Sequence, residues 1–126
     1  MTTGDTILVV EDDPASRSGL MIALTEAGYS VLTAQDGQQA LNLLERGIRP
    51  RLIVTDLTMP RVAGVDLLKD LRSDLGLRRI PIIVTTGWAP DHLRGVIADV
   101  ILHKPLNVKE LIHEVGRLLD SATTDA

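Results

Sequence analysis

Short apolar runs alternate along this chain with longer segments whose apolar residues recur at helical spacing. The runs cover residues 7–10, 30–34, 52–55, 80–85 and 100–102, and the amphipathic segments cover 16–27, 37–44, 64–72, 90–97 and 108–119. An all-apolar run is typical of a parallel strand buried on both faces. Five strands that alternate with five helices predict an α/β fold. In this fold a doubly wound, five-stranded parallel sheet of the flavodoxin-like type carries helices on both faces.

A length of 126 residues fits a single domain. We expect residues 1–120 to form it and residues 121–126, which lack large apolar side chains, to be a disordered tail.

Composition narrows the classes of function. A net charge of -4 and only two aromatic residues argue against a nucleic-acid surface. The absence of cysteine excludes thiolate metal sites. No apolar run is long enough to span a membrane, and the first residues do not resemble a signal peptide, so we expect a cytoplasmic protein.

Polar residues collect where the predicted strands end, and in such sheets ligands bind beyond the carboxyl ends of the strands. Strand one ends in Glu11, Asp12 and Asp13, and strand three ends in Asp56. Strand four ends in Thr85 and Thr86, and strand five ends in His103 and Lys104. These ends can converge on one pocket that holds several carboxylates, a hydroxyl and an ammonium group.

Such a pocket needs a cation. Two carboxylates 4 Å apart repel by about 1 kcal/mol in water and by about 4 kcal/mol at an effective dielectric constant of 20. Oxygen-only ligands favour a hard ion, Mg²⁺ before Ca²⁺. A carboxylate can also attack phosphorus to form an acyl phosphate, with a metal and a lysine neutralising the phosphoryl charge.

Several of these residues also have simpler interpretations. Asp13 before Pro14 is typical of a helix N-cap, and Asp36 before Gly37 of a turn or cap. The three histidines are scattered, which favours surface positions: His92, His103 and His113. A single acid or lysine after a strand is usually a loop residue, so the joint pattern carries the prediction.

Four segments, ILVVEDDP, LIVTDLTMPRVAG, IPIIVTTG and LHKP, occur in an order and spacing that resemble the receiver domains of two-component response regulators. The resemblance covers essentially the whole chain. It implies that Asp56 is the phosphoacceptor, that Asp12 contacts Mg²⁺ directly and that Glu11 does so through water. The residue two past the phosphoacceptor, Thr58, would offer its main-chain carbonyl to the metal.

The resemblance assigns two further positions. Thr86, five residues past Pro81, resembles the switch hydroxyl that binds the phosphoryl group. Lys104 resembles the lysine that pairs with phosphate, and the Lys104–Pro105 peptide would be cis.

The implied function is that of a phosphoacceptor signalling domain in a two-component system or phosphorelay. It would take a phosphoryl group from a phosphohistidine on a histidine kinase or a histidine phosphotransfer protein. It would catalyse its own phosphorylation and dephosphorylation without being a conventional enzyme, and phosphorylation could drive homodimer formation.

Three features depart from the family pattern. Ile101 occupies the usual aromatic switch position, Leu106 stands where phenylalanine is common, and the stretch 87–102 is about one helical turn short. The coupling of Thr86 to an aromatic rotamer therefore cannot operate here.

Two alternatives stay open. One is a receiver-fold interaction module that acts without phosphorylation. The other is a phosphatase of the haloacid dehalogenase type, which also uses a strand-end aspartate and Mg²⁺. That family has a second acid two residues after the nucleophile, where this chain has Thr58.

Overall fold

The predicted doubly wound parallel sheet is confirmed. The computed structural model describes residues 6–57, 64–87, 93, 96 and 98–124. The elements are β1 (Thr6–Val10), α1 (Pro14–Glu26), β2 (Ser30–Ala34), α2 (Gly37–Glu45), β3 (Leu52–Asp56), α3 (Gly64–Ser73), β4 (Ile82–Thr86), β5 (Val100–His103) and α4 (Val108–Thr124). All strand pairs are parallel, in the order β2-β1-β3-β4-β5, so β3 lies at the centre of the sheet.

The alternation of side chains along the strands divides the core into two layers. Ile7 and Val9 of β1 pack with buried leucines of α1 and α4. Leu8 and Val10 point to the other face, where they pack with α2 and α3. Because both faces of β1 are covered by helices, its residues 7–10 can be apolar at every position, which is the pattern that predicted this strand.

Three elements begin at other residues than the apolar pattern predicts. β1 begins at Thr6, one residue before the predicted run. α1 begins at Pro14 instead of residue 16, because Asp13 caps the helix and accepts a hydrogen bond from the Ser16 N–H at 2.9 Å. β4 begins at Ile82 instead of residue 80. Pro81 has no N–H to donate to the sheet, and the carbonyl of Ile80 accepts a hydrogen bond from Arg72.

The last helix is longer than its apolar pattern predicts. α4 continues past residue 119 to Thr124, while the division into a domain of residues 1–120 and a tail of residues 121–126 stays a prediction. A formed helix extends without new apolar contacts, because each added residue makes its own main-chain hydrogen bond. The helix predicted at 90–97 lies outside the described residues except at Leu93 and Val96, where the Val96 N–H donates to the Leu93 carbonyl. None of the described helices combines the length and apolarity needed to cross a membrane.

Candidate functional site

The carboxylate of Asp56 is buried at the end of the central strand. Asp56 is the last residue of β3, is paired in register with Thr85 of β4 and is 2% exposed. Lys104 Nζ, just past the end of β5, donates to Asp56 Oδ2 at 2.7 Å. The predicted convergence of strand ends three and five is therefore present in the structure.

Glu11 is the second buried acid of the site. It follows β1, is 2% exposed, and its Oε1 lies 3.4 Å from Lys104 Nζ. Its Oε2 accepts a hydrogen bond from the Asp13 N–H at 3.2 Å, and its own N–H donates to the Ala34 carbonyl at 3.0 Å. Glu11 is thus held through both its side chain and its main chain.

A third carboxylate completes an acidic cluster. Glu11, Asp12 and Asp56 can each offer one oxygen such that these oxygens lie within 4.8 Å of one another, and Asp12 is exposed at the mouth of the group. Among the described residues, the ammonium group of Lys104 contacts two of these carboxylates, those of Glu11 and Asp56, so the three acids leave an excess of negative charge. An all-oxygen set of this charge fits a hard divalent cation such as Mg²⁺.

The electrostatics of the cluster are visible in two pKa values. Burial raises the pKa of Glu11 from 4.5 to about 7. The Asp13 N–H and Lys104 oppose this rise, and the neighbouring charge of Asp56 adds to it. Burial tends to lower the pKa of Lys104, but its hydrogen bond and charge interaction with Asp56 outweigh burial and raise that pKa, so Lys104 is an ammonium ion at neutral pH.

The two threonines at the end of β4 are both buried, Thr85 at 1% and Thr86 at 0% exposure. The Lys104 N–H donates to the Thr86 carbonyl at 2.8 Å, which fixes Lys104 relative to β4. The peptide between Lys104 and Pro105 is cis, as the resemblance implied.

A cavity of about 330 Å³ opens beside the acids, between α1 and the loop that leads into α4. Its lining comprises Glu11, Ser16, Gly19, Leu20, Thr85, Lys104, Pro105, Leu106 and Val108. Thr85, the neighbour of the predicted switch residue Thr86, lines this space. Strand alternation could have indicated this, because Thr85 continues the face of Ile83, which packs with α1 and α4. The role of the Thr86 hydroxyl stays a prediction.

The structure describes several other positions that the sequence singled out. Asp13 and Asp36 are helix caps, which confirms their simpler interpretation. His103 and His113 are exposed, as expected for surface histidines. Thr58 and His92 lie outside the described residues.

One residue at the site, Arg17, was not singled out from the sequence. Its Nη1 donates to the Glu11 carbonyl at 2.9 Å and to the Asp12 carbonyl at 3.4 Å. The signal that could have found it is its place on the first turn of α1, within reach of the preceding loop.

Comparison with known proteins gives a consistent result. Residues 7–116 match the family model of the response regulator receiver domain. The chain is 37% identical over 121 residues to the response regulator MprA of Mycolicibacterium vanbaalenii, covering 94% of this chain and 52% of that protein. The chain thus spans about half the length of the curated relatives it matches first.

Two solved structures are similar over nearly their whole length. One is the signal receiver domain of a signal transduction histidine kinase from Syntrophus aciditrophicus, with a TM-score of 0.89, 33% identity, and coverage of 94% of this chain and 92% of that one. The other is the receiver domain of the sensor histidine kinase PA1611 from Pseudomonas aeruginosa, with a magnesium ion coordinated in its active site cleft. It has a TM-score of 0.86, 30% identity, and coverage of 93% and 98%. From the family match, the fold and the strand-end acids together, this chain belongs to the response regulator receiver domain family.

Proposed function

We propose that this domain accepts a phosphoryl group on Asp56 from a phosphohistidine, with Mg²⁺ held by Glu11, Asp12 and Asp56. The observation that carries the proposal is the surroundings of Asp56. Its carboxylate is 2% exposed, receives a 2.7 Å hydrogen bond from Lys104 and stands within a cluster of acids that suits a divalent cation.

In the proposed transfer one bond to phosphorus forms and one breaks. A carboxylate oxygen of Asp56 attacks phosphorus, and the bond between phosphorus and the histidine nitrogen of the donor breaks. The electron pair of that bond returns to the imidazole, which then takes a proton from solvent. The product is an acyl phosphate on Asp56.

Lys104 supplies the fixed positive charge for this step. Its ammonium group already contacts Asp56, and the pKa shift described above keeps it charged. The main-chain N–H of Lys104 donates to the Thr86 carbonyl and so fixes the backbone that carries this side chain. A charge held near Asp56 in this way can stabilise the negative charge that moves from the donor to Asp56. The Thr86 hydroxyl is proposed to hydrogen-bond the phosphoryl group.

The acidic residues would hold the metal, Asp12 directly and Glu11 through water, together with the main-chain carbonyl of Thr58. A bound Mg²⁺ would neutralise part of the phosphoryl charge and so favour transfer. The similar magnesium-bound receiver domain of PA1611 supports this part of the proposal.

The proposed partner is a histidine kinase or a histidine phosphotransfer protein in the cytoplasm. Relatives of this chain include response regulators and a hybrid histidine kinase, so two-component signalling is its setting. The domain would also catalyse hydrolysis of its own acyl phosphate, and phosphorylation would promote homodimer formation.

The test uses Asp56→Asn, which is nearly isosteric but is not a comparable nucleophile. The parent protein, incubated with acetyl phosphate and Mg²⁺, should gain one phosphoryl group by intact mass, and the variant should gain none. Asp70→Asn, an exposed acid on α3, is the matched control and should be phosphorylated like the parent. A phosphoryl group gained by the Asp56→Asn variant, or none gained by the parent, would overturn the assignment.

A further inference from the structure

Arg17 connects the first turn of α1 to the loop that carries two of the acids. Its Nη1 donates to the main-chain carbonyl of Glu11 at 2.9 Å and to that of Asp12 at 3.4 Å. The Arg17 N–H also donates to the Asp13 carbonyl at 2.9 Å, as part of the first helical turn. The same residue is therefore tied to three consecutive carbonyls of the acidic segment.

The contact matters most for Asp12. Glu11 has further side-chain partners in Lys104 and the Asp13 N–H. The side chain of Asp12, by contrast, is exposed and lies past the last residue of β1. Its place therefore depends strongly on where the main chain of this loop stands. Hydrogen bonds from a charged guanidinium are stronger than those between neutral groups, so Arg17 can fix that main chain.

The guanidinium acts on the main chain and is not an ion-pair partner of the cluster. The charges that act on Glu11 are those of Asp56 and Lys104. The charge of Arg17 is felt instead at exposed Asp13, which caps α1. A cation near a metal site would by itself weaken metal binding, so the two possible effects of Arg17 have opposite signs and can be separated.

We propose that Arg17 is a positioning residue for the metal site: by holding the main-chain carbonyls of Glu11 and Asp12 against α1, it places the Asp12 carboxylate for Mg²⁺. The inference rests on the metal site of the proposed function. It adds an element outside the strand ends, because α1 becomes part of the support of that site.

The experiment measures Mg²⁺ affinity by isothermal titration calorimetry for the parent, Arg17→Met and Arg17→Lys. Methionine keeps an unbranched side chain of similar reach without donors or charge, and lysine keeps the charge with a single donor group. Residues that orient metal ligands change metal affinity by roughly tenfold or more when removed. We therefore expect Arg17→Met to bind Mg²⁺ roughly tenfold more weakly, and Arg17→Lys to lie between it and the parent.

Two further measurements separate the outcomes. Arg78→Met removes an exposed arginine, and with it the same charge, from the loop before β4, and it should leave the affinity unchanged. Amide hydrogen exchange at Asp12 and Asp13 in metal-free protein should become faster in Arg17→Met, less so in Arg17→Lys, and not in Arg78→Met.

Unchanged or tighter Mg²⁺ binding by folded Arg17→Met would overturn the role of Arg17. If that variant does not fold, parent-like affinity and exchange in Arg17→Lys would overturn it equally. Failure of the parent itself to bind Mg²⁺ would instead overturn the metal site of the proposed function.

Discussion

The buried carboxylate of Glu11 should make the metal-free protein less stable as pH rises. Glu11 is 2% exposed and stands beside Asp56, and burial is the main reason why its pKa rises from 4.5 to about 7. In the unfolded chain this carboxyl group is in water and ionises near its ordinary value. The experiment changes the pH in the presence of a chelator and compares the parent protein with the variant Glu11→Gln.

The direction and size of this change in the free energy of unfolding follow from the linkage between proton binding and folding. Between the two pKa values the folded protein keeps a proton on Glu11 that the unfolded chain has lost. The free energy of unfolding therefore falls as pH rises through this window and levels off above the folded pKa. A rise from 4.5 to about 7 corresponds to about 3 kcal/mol, at about 1.4 kcal/mol for each pH unit. This is a large part of the stability of a small domain.

The assay is urea denaturation followed by circular dichroism, at several values between about pH 5 and about pH 8. Glutamine in place of Glu11 keeps an oxygen that can accept from the Asp13 N–H and carries no charge. Every other titrating residue is present in both proteins, and Asp56 and Lys104 are the ones whose charged neighbour changes. The difference in the free energy of unfolding between the parent and the variant should therefore change by up to about 3 kcal/mol across this range, in favour of the variant at high pH.

A difference in the free energy of unfolding that stays constant from about pH 5 to about pH 8 would contradict this prediction. It would mean that Glu11 ionises in the folded protein as easily as in the unfolded chain. A difference that moves in favour of the parent at high pH would show that Lys104 and the Asp13 N–H stabilise the carboxylate more than burial destabilises it.

Three further predictions concern stability in urea denaturation of metal-free protein. Lys104→Met removes the cation that faces two buried carboxylates and should cost roughly 2 kcal/mol near neutral pH, whereas Lys109→Met on exposed α4 surface should be close to neutral; equal effects would contradict the pairing. Asp99→Ala removes a carboxylate that accepts hydrogen bonds from Arg72 of α3 and from the Ile82 N–H of β4, so it should lower the free energy of unfolding by about 2 kcal/mol. No measurable loss of stability would show that water replaces both bonds. Gly28→Ala, at a φ of 104° after α1, should destabilise by about 1 kcal/mol, while Gly19→Ala inside α1 should stabilise by about 0.5–1 kcal/mol; the same sign for both would contradict the backbone assignment.

The sheet was predictable from the sequence because its inner strands β1, β3 and β4 are buried almost throughout and are therefore rich in apolar residues. Right-handed crossovers then leave few topologies for five strands that alternate with helices. Three strands nevertheless extend one residue past the predicted run, to Asp56, Thr86 and His103. Main-chain pairing continues for as long as the neighbouring strand is in register, whatever the side chain.

The candidate site was predictable in its residue types but not in its contacts. Strand ends can be brought together by topology alone, so Asp56 and Lys104 could be placed in one pocket before any distance was known. The difference between buried Glu11 and exposed Asp12 depends on which way each side chain turns after β1. The reach of Arg17 back to this loop depends on the angle at which α1 leaves the sheet, which no local pattern encodes.

The charge balance of the site explains why its residues have to be considered together. Three carboxylates lie together, and among the described residues the ammonium group of Lys104 contacts two of them, so the cluster carries an excess of negative charge. Burial is the main cause of the raised pKa of Glu11, and repulsion by the neighbouring charge of Asp56 adds to it. A divalent ion would remove that repulsion, so part of its binding free energy would come from strain already present in the folded protein. In the proposed reaction a phosphoryl group then adds further negative charge beside Asp56. Lys104 already contacts Asp56 and can meet this charge without moving far.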